Sequence, residues 1–268
     1  MSLRTLGITP SIRGLFARPA DMARTVCSVL DFRRAPDTAS KDIITRSDKE
    51  LGGFSTVNFE IDPEEKVGHF HGYLSLDLPK DNPEIHRSGY AMFRTQDLPE
   101  SWFSGKQYWD WSQYSSLVLR VKGDRRKYLV NLQANTPLVT DLFQHRLFLN
   151  HPGQWETVVI PLDDFVMTNW GIIQDGSEIN KSEIKTMGIG LLDKQYGPYS
   201  LKVDWVKVMT GAEVDKEASR SRGSLSYSTP EQELKEEEEM EYEQTHPGHG
   251  GSAMGGKRNP KEPKLTMF

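Results

Sequence analysis

Residues 54–61 read FSTVNFEI, and their alternation decides the fold. Val57, Phe59 and Ile61 fall on one side of an extended chain, with Thr56, Asn58 and Glu60 on the other. That is the period of a half-buried strand. The pattern recurs in GHFHGYLSL with Phe70, Leu74 and Leu76 inward, in SLVLRV with Leu117, Leu119 and Val121, and in YLVNLQA with Tyr128, Val130 and Leu132. It returns in IKTMGIGLL with Met187, Ile189 and Leu191, and in LKVDWVKVM with Leu201, Val203 and Trp205. Shorter runs at 90–94, 142–149 and 155–161 bring the expectation to about nine strands. They are parted by turn sequences such as DLPKDNP and KGDRR, with almost no helical period. An all-β, antiparallel two-sheet sandwich of the jelly-roll kind is predicted.

Gly52 and Gly53 stand just before this first alternating segment, in SDKELGGFST (47–56). A phosphate-cradling loop needs a strand before its glycines, a helix after them and a fixed spacing. Here a strand follows and the spacing differs. The pair is therefore expected to be structural, a positive-φ turn that feeds the first strand of the sandwich.

The flanks have a different composition. The first twenty residues carry Arg4, Arg13 and Arg18, several hydroxyls and no acid before Asp21, the make-up of a mitochondrial targeting segment. A short helix is expected over 20–34, before Pro36. Past residue 210, EQELKEEEEMEYEQ carries eight acids from Glu231 to Glu243, and a glycine-rich tract containing His246 and His249 follows. Such a segment buries too little apolar surface to offset its ordering entropy. The expected organisation is a targeting segment and lead-in over 1–35, the sandwich over 36–210, and a flexible tail over 211–268 with a transient helix at 230–243. The net charge of −5 provides no basic field for capturing nucleic acid. One cysteine, Cys27, leaves no disulfide framework or cysteine-rich zinc site, and no apolar run is long enough to span a bilayer as a helix.

No convergent catalytic set is legible, so neither an enzyme nor a cofactor is expected. His69 and His71 point the same way from one strand but lack a third ligand, and the reading is of exposed imidazoles without a metal. His145 shares the apolar face of Phe143 and Leu147, as a core histidine would. Asp163 and Asp164 are neighbours on one loop and cannot face each other across a cleft. Cys27 lies outside the expected domain. The aromatic run YWDWSQY, with Tyr108, Trp109, Trp111 and Tyr114, suits either core packing or the stacking of a sugar ring.

Six blocks in order resemble the complex I intermediate-associated protein 30 family: SDKELGGFST, GHFHGYLSL, SGYAMFRT, YWDWSQYSSLVLRVKGDRRKYLVNLQA, GQWETVVIPLDDFV and IKTMGIGLLDKQYGPYSLKVDWVKV. The resemblance runs from about residue 30 to 209. It implies a galactose-binding-domain-like jelly roll in mitochondria, on the matrix side of the inner membrane and peripherally associated with it. It further implies a noncatalytic, chaperone-like factor that binds membrane-arm subunits of NADH:ubiquinone oxidoreductase together with other assembly factors. The residues themselves nominate a surface. Asn131 and Gln133 point away from the core, Gln144 and Arg146 form a similar row, and Arg94 ends another strand. If these strands are neighbours they build one polar sheet face, fit for a protein partner or, in a carbohydrate-binding module, for a sugar.

Overall fold

In the computed structural model the alternating segments are strands, and the structure describes residues 24–33, 43–79, 88–103, 105–174, 176–221 and 225–227. In chain order they are β1 (Val26–Asp31), β2 (Ile43–Ser47), β3 (Thr56–Ile61), β4 (Gly68–Leu74), β5 (Ala91–Thr95), β6 (Ser116–Gly123) and β7 (Tyr128–Ala134). There follow β8 (Asp141–Leu147), β9 (Glu156–Pro161), β10 (Val166–Asn169), β11 (Ile172–Ile173), β12 (Ile184–Leu191), β13 (Gly197–Met209), helix α1 (Gly211–Ser221) and β14 (Leu225–Tyr227). One seven-stranded sheet runs β14-β9-β6-β13-β4-β3 with β1 also on β13, and the other runs β11-β10-β8-β7-β12-β5-β2. Every pairing is antiparallel except β14 with β9. The antiparallel jelly-roll sandwich expected from the period is the fold observed.

The core lies between the inner faces. Leu117, Leu119 and Val121 of β6 and Leu201, Val203, Val206 and Val208 of β13 meet Tyr128, Val130 and Leu132 of β7 and Met187 and Ile189 of β12, all buried. The Phe70 ring lies 5.1 Å from that of Phe93, an aromatic contact that bridges the sheets, and 4.9 Å from that of Tyr199 on the adjacent strand of its own sheet. Trp111 and Tyr114 are also core residues, and Trp109 stacks on Trp111 with ring centres 5.8 Å apart. Core packing, not an open stacking platform, is thus the role of this run.

Four expectations change. Residues 26–31 form β1 instead of a helix, because β13 is long enough to hold two partners on one edge: β4 along Gly197–Val203 and β1 along Trp205–Met209. Cys27 therefore sits inside the sandwich, opposite Val208. Trp205 does not point inward. A register shift between Val203 and Trp205 changes the parity of β13, so that Val206 and Val208 enter the core while Trp205 packs on the outer side. Structure also continues past 210: Val214 of α1 packs with Val118, Val159 and Met209 on the outer face of the first sheet, and β14 extends that sheet beside β9. The suggested helix at 230–243 lies outside the described residues, as do Arg4, Arg13, Arg18, His246 and His249.

A consequence can be measured. A chain ending at Thr210 uncovers Val118, Val159 and Met209 and loses the β14 ladder, whereas one ending at Tyr227 keeps both. The shorter chain is expected to be less stable in urea by about 2 kcal/mol, the scale of one or two apolar side chains returned to water. Equal midpoints for the two chains would mean that α1 contributes nothing to the fold.

Candidate functional site: the polar face of the second sheet

Side-chain parity places all five predicted surface residues on the outer face of the second sheet. Asn131 of β7 sits opposite Gln144 of β8, and Leu129 opposite Arg146. On the other side of β7, Gly188 of β12 faces Asn131, and across β12 the same glycine faces Arg94 of β5. One row thus reads Gln144, Asn131, Gly188, Arg94. The next reads Arg146, Leu129, Gly190, Met92 and Arg46 of β2.

Hydrogen bonds fix this face. Thr168 of β10 donates from Oγ1 to Gln144 Oε1 at 2.8 Å, and Gln144 Nε2 donates to Asn131 Oδ1 at 2.7 Å. The chain of bonds orients the Asn131 amide so that its Nδ2 lies on the side of Gly190. Gln133 donates to the Val139 carbonyl at 3.1 Å and accepts from Thr186 Oγ1 at 3.4 Å. The arginines are engaged locally. Arg94 donates to the Thr95 carbonyl at 2.9 Å and pairs with Asp97 at 2.8 Å, while the Arg146 guanidinium carbon lies 4.6 Å from the centre of the Phe148 ring.

Gly188 and Gly190, both buried, let the neighbouring strands and side chains close over the middle of the face. A Cβ on Gly188 would lie 2.4 Å from the Phe93 carbonyl oxygen, and one on Gly190 3.1 Å from Asn131 Nδ2. Glycine is required here because the flanking strands and the side chains of Arg94, Asn131 and Met92 occupy the space a Cβ would need. From β8 to β5 the outward positions carry amides, hydroxyls, arginines and aliphatic residues but no aromatic ring on which a sugar could stack. The sequence reading missed Gly188, Gly190, Thr168, Thr186 and Arg46. The signal was present in IKTMGIGLL, where glycines occupy successive outward positions.

The other chemical candidates resolve into packing. His69 and His71 stack with ring centres 4.3 Å apart; His69 Nε2 lies 2.9 Å from Ser200 Oγ, and burial, with His71 alongside, lowers the His69 pKa. No group of three or more His, Cys, Asp or Glu side chains suited to a metal occurs among the described residues. His145 is buried, with Nδ1 2.7 Å from the Arg146 carbonyl oxygen, and Asp163 pairs with Lys181. Burial raises the Cys27 thiol pKa, the opposite of what a nucleophile needs.

Gly52 and Gly53 have two different reasons. Gly52 has φ of 88° and closes the 3-10 turn Asp48–Leu51, as expected of a positive-φ position. Gly53 has no positive φ; a Cβ there would lie 2.4 Å from Cγ of the buried Asp48. The strand they lead into is β3, not the first of the sandwich.

Two packed, almost wholly antiparallel sheets with a polar outer face on the second define a jelly-roll β-sandwich. The sequence matches the model of the complex I intermediate-associated protein 30 family over residues 30–203, and the chain belongs to that family. It is 46% identical over 181 residues to the mitochondrial complex I intermediate-associated protein 30 of Neurospora crassa, covering 59% of this chain and 65% of that protein. Its identity to the mitochondrial protein of the same name from Mus musculus is 31% over 212 residues, covering 76% of this chain and 62% of that one. The match thus spans less than two thirds of either relative. Among solved structures, the family 11 carbohydrate-binding module of a Clostridium thermocellum cellulase is similar, with a TM-score of 0.44 and 14% identity over 63% of this chain and 88% of that one.

Proposed function

We propose that this chain is a noncatalytic factor in the assembly of mitochondrial respiratory complex I. In this reading it holds membrane-arm intermediates, alongside other assembly factors, from the matrix side of the inner membrane. Family membership over residues 30–203 carries the reading, and the polar face of the second sheet supplies a surface suited to it. An assembly factor must hold its client and then release it. A polar, partly desolvated face with a few arginine and amide anchors fits that requirement better than a continuous apolar interface. No helix among the described residues is long and apolar enough to cross a membrane, which accords with peripheral attachment.

The test is replacement of the native protein in mitochondria by Gln133→Ala, Arg146→Ala. Both side chains are partly exposed, so the sandwich stays folded. Mature complex I, read on native gels, is expected to fall by about twofold or more, with membrane-arm intermediates accumulating, as when anchor residues of an interface are truncated. A folded variant that supports normal complex I would move the client surface elsewhere. Normal complex I in the complete absence of the protein would defeat the assembly reading itself.

A further inference from the structure

Three loops at one end of the second sheet carry large apolar side chains into solvent. The loop after β5 presents Trp102 and Phe103, 94% and 95% exposed. The β7–β8 loop presents Leu138 and Val139, and the β10–β11 hairpin presents Trp170 at its tip with Ile172 and Ile173 on its edge strand. The ladders place the three loops together. Ile184, which begins β12, pairs with Ala134 at the end of β7 and bridges to Trp109 beyond the first loop; Asp141, which begins β8, pairs with Asn169 just before Trp170.

The geometry of the hairpin is unusual. Trp170 and Gly171 have φ of 51° and 75°, and such two-residue turns favour Asn-Gly because side chains are strained there. A tryptophan tolerates this position only at a cost, and its indole is 76% exposed. An exposed edge strand ending in Ile-Ile is likewise a feature that soluble sandwiches avoid.

We propose that this rim docks the protein on a lipid bilayer, with the three loop tips in the headgroup layer. The inference rests on the assembly reading only for which membrane is met. Three observations favour lipid over a protein groove. The side chains project from separate tips instead of lining a cleft, and lipid needs no complementary pocket. Tryptophan and phenylalanine are the side chains that settle at the water–lipid boundary.

The tips also close much of their own backbone, as entry into an apolar boundary demands. Ser101 and Gly105 exchange both N–H to carbonyl bonds at 2.8 and 2.9 Å. Thr168 and Asn169 pair with Ile173 and Ile172, and the Leu138 and Val139 carbonyls accept from Asp141 N and Gln133 Nε2. The neighbouring charges are of both signs and partly self-paired, as in Lys181 with Asp163 and Glu183 with the Asn135 and Asn180 amides. Attachment is therefore apolar and only weakly dependent on salt.

The test is flotation of the full chain with uncharged phosphatidylcholine vesicles, a probe that makes no reference to complex I and excludes electrostatic capture by the arginines of the first twenty residues. The wild type is expected to float at low and high salt. Trp102→Ser, Phe103→Ser, Trp170→Asn is expected to lower the partition coefficient by roughly tenfold or more, the scale for withdrawing large apolar groups from the boundary. Asn suits the turn position, so folding, checked by circular dichroism, is preserved. Brominated phosphatidylcholine should quench the indole emission of the wild type whether or not the variant folds. A wild type that stays at the bottom of the gradient, quenching that does not occur, or a folded variant that floats equally well would each overturn the proposal. A wild type that does not float, yet whose tips crosslink to a protein in mitochondria, would assign the rim to a protein partner instead.

Discussion

Asp48→Ala is expected to lower the stability of the sandwich by about 3–5 kcal/mol, measured as a shift of the urea midpoint, because it strips a buried acceptor from three donors at once. Asp48 is fully buried at the end of β2. Its Oδ1 accepts from Ser55 N at 2.9 Å, and its Oδ2 accepts from Ser55 Oγ at 2.8 Å and from Gly89 N at 2.6 Å. Ser55 Oγ in turn accepts from Ser75 N at 3.0 Å. One carboxyl group thus ties the entries to β3 and β5 and the exit from β4 to the end of β2. Alanine leaves those donors in a site that admits little water. Asp48→Asn keeps one acceptor but turns an N–H toward a donor, and should fall between the two. Gly53→Ala attacks the same cage from outside, since its methyl would occupy the space of the Asp48 carboxyl. If Asp48→Ala lost less than about 1 kcal/mol, the net value of an ordinary hydrogen bond, the cage would have no role in stability.

The sequence made half of this cage visible. Glycine at 52 and 53 signalled a tight turn, but Asp48 in the run SDKEL reads as a surface acid, because its partners lie 7 and 41 residues away. The same division runs through the fold. Strands β3, β4, β6, β7 and β12 were legible because each buries one face and so writes a period of two. Strand β1 was not: Val26, Cys27, Val29 and Leu30 space equally well for a helix, and only the free edge of β13 decides between them. Trp205 was misplaced by one register shift, which leaves no trace in the alternation. At the site, parity alone brought Arg94, Asn131, Gln133, Gln144 and Arg146 to one face. What it did not show is that both arginines are already engaged, and that the two outward positions between them are held by the buried Gly188 and Gly190.

Arg126→Ala is expected to cost a similar 3–5 kcal/mol, because it abandons a buried carboxylate. The loop Asp193–Pro198 is clamped by this one side chain. Arg126 Nε and Nη2 donate to the two oxygens of Asp193 at 2.6 and 2.8 Å, and the remaining donors reach the carbonyls of Gln195, Gly197 and Pro198 at 2.7, 3.1 and 2.9 Å. The Asp193 side chain is fully buried and that of Arg126 is 10% exposed, so water cannot replace the guanidinium when it is removed. The bond to Asp193 raises the arginine's pKa further, and the guanidinium stays charged throughout the working range of pH. Arg126→Lys restores a charge but not the planar fork, and should recover only part of the loss. A double-mutant cycle with Asp193→Ala separates the pair from the three carbonyl bonds. If the double variant is more stable than Arg126→Ala alone, the single-variant loss comes mainly from the stranded carboxylate; additive losses would mean that the two side chains act independently and that the clamp is not what holds the β6–β7 and β12–β13 loops together.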